Sequence, residues 1–406
     1  MHILFLTDNF PPEVNAPASR TFEHCRIWAK AGHQVTVITC APNFPTGKVF
    51  AGYKNKIWQT EDMDGIRVLR VWTYITANEG FIKRILDYVS FMPSAVLAAM
   101  FVHKPDLVIG TSPQFFTACA AYAVSVFKRI PFVFELRDIW PESIKAVGAM
   151  RDSPIILLLE KIELFLYRKA HLIVSVTHSF KKILIDRGIS ADKIQVITNG
   201  VDASRFVQSD KDVDLVRQYR LENQFVAGYV GTHGMAHHLE TVLEAAAIAQ
   251  GHGDTIKFVL LGNGARKTEL VKLAKRMHLH NVIFIDSVPK AEVPRYWSLL
   301  DVSIIHLKKM DLFTSVIPSK LFECMAMGIP VLHGVAGESA NIVQDNQAGL
   351  VFEPENAIAL YDNLLKLKSD HATYLTLQTH AVKAARRYDR THLANEFFAL
   401  LKQLDQ

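Results

Sequence analysis

Twice along this chain a short apolar run passes through a glycine- or proline-rich loop into a helical stretch and out into another apolar run. In the first half, His2 to Thr7 reads as a strand and D-N-F-P-P-E-V-N-A-P-A-S-R as a loop; about Ala18 to Ala31 reads as a helix closed by Gly32, and Gln34 to Thr39 as the next strand. In the second half, Phe225 to Val230 leads into the turn G-T-H-G-M-A-H-H-L-E, a helix from Leu239 to Gln250 and a strand from Ile256 to Leu261. Strand, loop, helix, strand is the beginning of a doubly wound parallel sheet, which binds its ligands at the loops beyond the strand carboxyl ends. The predicted class is therefore α/β, with two Rossmann-like doubly wound domains. A chain of 406 residues is long for one core and fits two domains of about 200 residues each. The boundaries read as 1–203, a polar linker at 204–223, 224–385, and a C-terminal helix at 386–406 returning to the first domain.

Charge is unevenly spread. The net +5 divides into +6 for residues 1–205, which hold 24 Lys/Arg against 18 Asp/Glu, and −1 for the remainder. The first half therefore prefers anionic company such as lipid head groups or a pyrophosphate-linked acceptor, and the surplus is too mild to choose nucleic acid. Cys25, Cys40, Cys119 and Cys324 show neither C-x-x-C nor zinc-ligand spacing, so buried thiols in a reducing cytoplasm are expected and no metal is. No basic n-region of a signal peptide precedes the first strand. The longest uncharged hydrophobic run, Tyr88 to Val102, carries Pro93 and is 15 residues long, short for a membrane span of roughly 20. The segment Phe81 to His103, with Lys83 and Arg84 at one end, reads equally as a buried core helix or as one lying in a membrane interface.

One stretch concentrates chemistry: V-I-P-S-K-L-F-E-C-M-A-M-G-I-P-V-L, Val316 to Leu332. Ser319 sits where an N-cap belongs, Lys320 and Glu323 fall one turn apart, and Gly328 and Pro330 separate the helix from a strand. A helix start with free N–H groups, a lysine and a carboxylate can hold a phosphate and a sugar hydroxyl side by side. An ordinary capped surface helix explains the same letters. Gly231 and Gly234, and further on G-N-G-A-R-K with Gly262 and Gly264, would let backbone approach a phosphate. Gly262, Gly264 and Asp286 also imitate a dinucleotide fingerprint, but Lys267 stands where its third glycine belongs.

Together these motifs resemble glycosyltransferase family 4, retaining enzymes of the two-domain GT-B fold whose domains face a central cleft. The resemblance makes Glu323 the second glutamate of E-x7-E, the one that binds the donor ribose, and places Ser315 where the family's first glutamate contacts the donor sugar. Ser319, Lys320, Leu321, Gly231, Thr232, Gly262 and Gly264 become donor-binding. Where the family carries a diphosphate-clamping Arg and Lys, this chain has Thr232, His233, His237 and His238, so Lys320 takes the cationic task. In the first half Asn15 replaces a family glycine, and Asn15, Arg20 and the Asn199 of T-N-G-V-D are acceptor or phosphate contacts, Arg20 reading equally as one end of a surface salt bridge. The string R-D-I-W-P-E-S resembles the branch of L-fucosamine transferases that act on undecaprenyl-linked acceptors. There Asp138 steers the acceptor hydroxyl, supported by Arg137 and Glu142.

The resemblance implies a hexosyltransferase moving a sugar, such as L-FucNAc, from UDP to a polyprenyl-diphosphate-linked saccharide in O-antigen or capsule biosynthesis. It would work on the inner membrane surface, without cofactor, metal or nucleic acid. A UDP-sugar epimerase of the same fold and a non-catalytic nucleotide-sugar-binding subunit are the alternatives.

Overall fold

The computed structural model describes residues 1–44, 46–76, 81–139 and 154–404, the side chains of 81–85 excepted. The chain forms two compact units, Met1–Thr198 with Arg390–Gln406, and Asn199–Asp389. The first is built on strands β1 (His2–Leu6), β2 (Gln34–Cys40), β3 (Trp58–Met63), β4 (Ile66–Val71), β5 (Leu107–Thr111), β6 (Phe132–Leu136), β7 (Leu172–Ser175) and β8 (Ile194–Val196). Helices α1 (Ala16–Lys30), α2 (Phe81–Met100), α3 (Phe115–Lys128), α4 (Pro154–Lys169) and α5 (His178–Asp186) connect them. The eight strands lie in the order β3-β4-β2-β1-β5-β6-β7-β8, and the neighbours are parallel except for the antiparallel β3–β4 pair. That hairpin falls in a region whose sequence reads as irregular. Its turn is Asp64-Gly65, both at positive φ (54° and 83°), the conformation that two-residue hairpin loops require.

Alternation along β1 shows how the sheet is covered on both faces. Leu4 and Leu6 join the core under α2, α3 and α4, while Ile3 and Phe5 join the opposite core around Trp28 of α1. The chain runs from β1 to β2 on one side and returns to β5 on the other, so the topological switch point lies between β1 and β5.

The second unit carries α6 (Val213–Tyr219), then β9 (Phe225–Val230), α7 (Glu240–Gly251), β10 (Ile256–Leu261), α8 (Lys267–Arg276), β11 (Val282–Ile285), α9 (Val293–Trp297) and β12 (Val302–His306). After these come α10 (Lys320–Ala326), β13 (Val331–Gly334), α11 (Glu338–Asp345), β14 (Gly349–Val351), α12 (Ala357–Ser369) and α13 (His371–Ala385). Its parallel sheet has the order β11-β10-β9-β12-β13-β14, which puts its switch point between β9 and β12. Residues 204–223, expected as a linker, are folded into this unit. Asp212 caps α6 by accepting from the Leu215 N–H, and Phe206, Leu215 and Leu221 are buried in its core. The polar letters there are the outer face of an amphipathic element, and the units divide at 198/199 and 389/390 instead.

The final helix, α14 (Arg390–Lys402), belongs to the first unit. Leu393, Phe397, Phe398 and Leu401 are buried there, the Trp28 indole donates to the Ala394 carbonyl at 2.8 Å, and Arg390 pairs with Glu23.

Candidate functional site

In the second unit the site is made first of backbone. Gly231 follows β9 at φ +141° and Gly262 follows β10 at φ +143°, and the Gly231 N–H donates to the Leu261 carbonyl at 2.9 Å. A Cβ on Gly262 would lie 1.8 Å from the Gly231 oxygen, and one on Gly264 would lie 2.5 Å from the His233 oxygen. No side chain fits at either position, so the two turns stack backbone on backbone. Lys267 fastens the stack: its ammonium donates to the Gly262 and Ile285 carbonyls (2.7 and 3.0 Å) and to Asp286 (2.6 Å). That explains the residue that spoils the dinucleotide fingerprint, since a lysine here ties two strand ends together. Thr232 is exposed, and its carbonyl accepts from the Tyr229 hydroxyl at 2.7 Å.

Against this backbone lies the lysine of P-S-K. Lys320 Nζ is 3.7 Å from the centroid of the Tyr229 ring, and a Cβ on Gly231 would come within 2.6 Å of it. The ammonium is buried and has no hydrogen-bond partner among the described residues. Burial pulls its pKa down to about 7, against the raising influence of Glu323 and Cys324. Beside it, the His233 ring is fully buried, with neither nitrogen hydrogen-bonded among the described residues. Burial, Lys267 and Lys320 together lower its pKa to about 4. Glu323 accepts from the Trp297 indole at 3.3 Å.

Three expectations about this stretch change. Ser319 has helical backbone angles and makes no side-chain capping bond, and α10 is only seven residues long. The cation rather than a capped helix end therefore distinguishes the position. The Leu321 side chain is buried in the core and its N–H donates to the Pro318 carbonyl, because one face of so short a helix must pack on the sheet. Ser315 is buried, and its hydroxyl donates to the Leu312 carbonyl at 3.1 Å. The sequence reading also passed over Gly337, at φ +84°, where a Cβ would lie 2.0 Å from the Thr314 oxygen. The glycine in V-A-G-E was its only trace.

In the first unit, Arg20 and Glu135 form a buried ion pair at 2.9 Å. The remaining arms of Arg20 donate to the Thr198 and Ile197 carbonyls (2.6 and 2.8 Å). Arg20, expected to meet an acceptor or phosphate, is thus an internal strut joining α1 to the ends of β6 and β8. Burial alone would raise the Glu135 carboxyl, but Arg20 and Arg137 hold it below its usual value. Arg137 has buried Nε and Nη1 atoms without hydrogen bonds among the described residues, and burial pulls it to about 10. The Ser112 hydroxyl, at the end of β5, accepts from the N–H groups of Arg137 and Asp138 at 2.8 and 3.1 Å. That fixes the turn after β6 next to the switch point. Glu142 lies outside the described residues.

Asn15 caps α1, accepting from the Ala18 N–H at 2.9 Å, with φ at −67°. The position calls for a cap, not for the positive φ that a glycine would favour. Asn199 is half-buried at the first position of the second unit. Asp8, which the sequence did not single out, follows β1, and its carboxyl is 3.5 Å from the Cys40 sulfur. Burial, Asp87 and Glu13 push it up to about 8.

Comparison with known proteins agrees with this architecture. Residues 18–205 match Glycosyltransferase Family 4, and residues 212–388 match Glycosyl transferases group 1. A relative in Escherichia coli (strain K12), named for colanic acid biosynthesis as glycosyl transferase WcaI, is 26% identical over 81% of this chain and 82% of its own. A GDP-mannose-dependent alpha-mannosyltransferase of Mycobacterium tuberculosis (strain CDC 1551 / Oshkosh) is 22% identical over 86% and 83%. Among solved structures, Anabaena Alr3699/HepE in complex with UDP superimposes with a TM-score of 0.74 at 18% identity, covering 99% of this chain and 100% of that one. The chain is a glycosyltransferase, a hexosyltransferase of the GT-B fold that carries a family 4 domain followed by a group 1 domain.

Proposed function

We propose that the protein moves a sugar from a UDP donor to a lipid-linked saccharide, with retention of configuration, in the assembly of a surface polysaccharide. The observation that carries the donor half is the Lys320 ammonium, buried without a hydrogen-bond partner among the described residues and pressed against Gly231 at the switch point of its sheet. A buried cation left this way is unfavourable until an anion meets it, and a nucleoside diphosphate brings one. Lys320 then stabilises the departing UDP. Glu323 holds the ribose, and the backbones at Gly231, Thr232, Gly262, Gly264 and Ser319 approach the diphosphate and base. Asp138, with Arg137 and Glu142, steers the acceptor hydroxyl, and Asn199 lies near the acceptor phosphates. No resident metal or cofactor takes part.

UDP is favoured by the solved complex of Alr3699/HepE, and polysaccharide assembly by the name of the colanic acid relative. The finer choice of an N-acetylated amino sugar such as L-FucNAc, and of a polyprenyl-diphosphate acceptor, rests on R-D-I-W-P-E-S. Peripheral attachment to the inner membrane surface is supported by exposed apolar side chains on α2, α3 and α4, and no helix among the described residues is long and apolar enough to cross a membrane. Ser315, hydroxyl rather than carboxylate, is the feature favouring a non-catalytic sugar-nucleotide binder.

The test is a thermal-shift series with UDP, GDP, TDP and NAD, followed by turnover assays with UDP-sugars and undecaprenyl-linked acceptors. Ligand at about 100 times its dissociation constant adds roughly 2.7 kcal/mol. UDP is expected to raise the melting temperature most. A shift with GDP alone would move the donor to the class of the mannosyltransferase, and a shift with NAD alone would remove the reading. Product formed without lipid acceptor would indicate an epimerase, and UDP binding without turnover an assembly subunit.

A further inference from the structure

Lys320 and His233 make an unusual pair. Both are bases, both have buried nitrogen atoms without a hydrogen bond among the described residues, and both flank one aromatic ring. Lys320 Nζ stands over Tyr229 at 3.7 Å, and the His233 ring lies 5.9 Å from it, with Phe284 at 6.3 Å on its other side. Buried polar groups are almost always paired, and each one left unpaired costs about 1–3 kcal/mol. Two at one place, under a double glycine turn that no side chain can enter, mark a position shaped for a ligand rather than for packing.

We propose that Lys320 and His233 together receive the donor's diphosphate, in place of a permanently charged arginine, and that the nucleotide enters this site together with a proton. The inference rests on the second unit being the donor site. Its chemistry is a protonation. The Lys320 amine takes a proton from solvent as the phosphate oxygens arrive, the N–H groups of the resulting ammonium donate to them, and no covalent bond to the donor changes. His233 acts as the second donor of hydrogen bonds, its ring held in place by the His233 N–H to Asn263 carbonyl bond at 2.9 Å.

The groups facing the pair are few. From α10 come Glu323 and Cys324, from β9 Tyr229, and from the glycine turn His237, which His306 faces in turn from the end of β12. From α8, Lys267 faces His233, with its charge directed to Asp286. Among the described residues Glu323 is the one carboxylate acting on Lys320, and it also accepts from Trp297. Burial accordingly dominates, and it holds the empty-site lysine near pH 7 for half-protonation.

The experiment is titration calorimetry of the full chain with UDP between pH 7.5 and 9, each pH in two buffers of different ionisation enthalpy. UDP's own terminal phosphate, ionising near about pH 6, is silent in that range. The expected result is uptake of about 0.9 proton at pH 8, and an affinity that falls about tenfold per pH unit above 7. K320R, which cannot lose its charge, should keep UDP binding and abolish the uptake. Should the larger head not seat against Gly231, K320M serves instead, because the ratio of wild-type to K320M affinity should shrink about tenfold per pH unit as the wild-type lysine discharges. H233N should weaken UDP binding about tenfold while leaving the melting temperature of the free protein unchanged or raised. UDP binding that is independent of pH and takes up no proton overturns the proposal and leaves the donor-site reading standing. So does uptake that survives K320R, and unchanged affinity in H233N removes the histidine. Failure of UDP to bind at any pH removes the donor-site reading itself.

Discussion

Asp8 shows how a single side chain makes stability depend on pH. Its carboxyl, packed with Cys40 and facing Asp87 and Glu13, keeps its proton up to about pH 8. In the unfolded chain it would lose that proton near about pH 4. Between those values the unfolded state binds fewer protons than the folded one, so stability falls as pH rises from 4 to 8. Asp8→Asn, which cannot ionise, should therefore melt higher than the wild type by a margin that grows from pH 5 to pH 8. Melting curves at the two values check this, and a constant margin would refute it. At this scale the sequence was legible wherever chemistry follows from residue type and spacing. Residue type and spacing mark Lys320, Glu323, Gly231, Gly262 and Gly264, although an ordinary capped helix accounts for the first two as well. Arg20 did not read correctly, because its partner Glu135 is 115 positions away and only the sheet brings them together. The same is true of His233, whose burial is a product of the glycine turns around it.

Among the elements, α2, α3 and α4 carry the feature with the clearest consequence. Leu97 (60% exposed), Phe101 (70%) and Phe127 (70%) leave large apolar surface outside the core, and Ile155, Leu157, Leu158 and Phe165 extend it along α4. Two adjoining grooves share Met92, Ala123 and Phe127, so the surface runs on from helix to helix. Apolar area of this extent is the feature on which the proposed peripheral attachment rests. The basic residues Lys128, Arg129, Lys161, Arg168 and Lys169 on α3, α4 and the turn after α3 match the charge of an anionic lipid surface. The protein should float with phosphatidylserine-containing vesicles. The double variant L97S/F127S should bind them at least tenfold more weakly at unchanged melting temperature, since burying one such side chain contributes about 1.5–3 kcal/mol. Absence of the wild type from the vesicle fraction would dispose of the idea. The sequence could place helix α2 but not choose between core and interface for it: Phe91, Ala95 and Ala99 are core, whereas Leu97 and Phe101 are exposed. The β3 hairpin and helix α6 were missed for a shared reason, their polar composition, which hides elements that have only one face to bury.

At the scale of the whole molecule, the chain begins in the first unit, builds the second, and comes back. Val201 and Asp389 form a short parallel bridge, with the Val201 N–H donating to the Tyr388 carbonyl at 2.9 Å, so the outgoing and returning strands are tied together within the second unit. Helix α14 contributes four large apolar side chains, Leu393, Phe397, Phe398 and Leu401, to the core around Trp28. At about 1.5–3 kcal/mol each they supply roughly 6–12 kcal/mol, comparable with the 5–15 kcal/mol of a whole domain. Deleting the chain from Arg390 onward should therefore abolish the first unit's calorimetric transition and leave the second unit's transition, with its response to UDP, in place. Retention of both transitions would show that α14 is dispensable.

The same return path has a consequence for how the protein is made. As the ribosome delivers the chain, Trp28 and the sheet face beside it emerge early, while the helix that covers them follows only after the whole second unit. The 191 residues of Asn199–Asp389 come between, which at about 5–20 residues per second is a wait of roughly 10–40 s. During that interval the nascent first unit displays Trp28 and the apolar side chains packed around it, a surface that chaperones bind and premature termination would leave open.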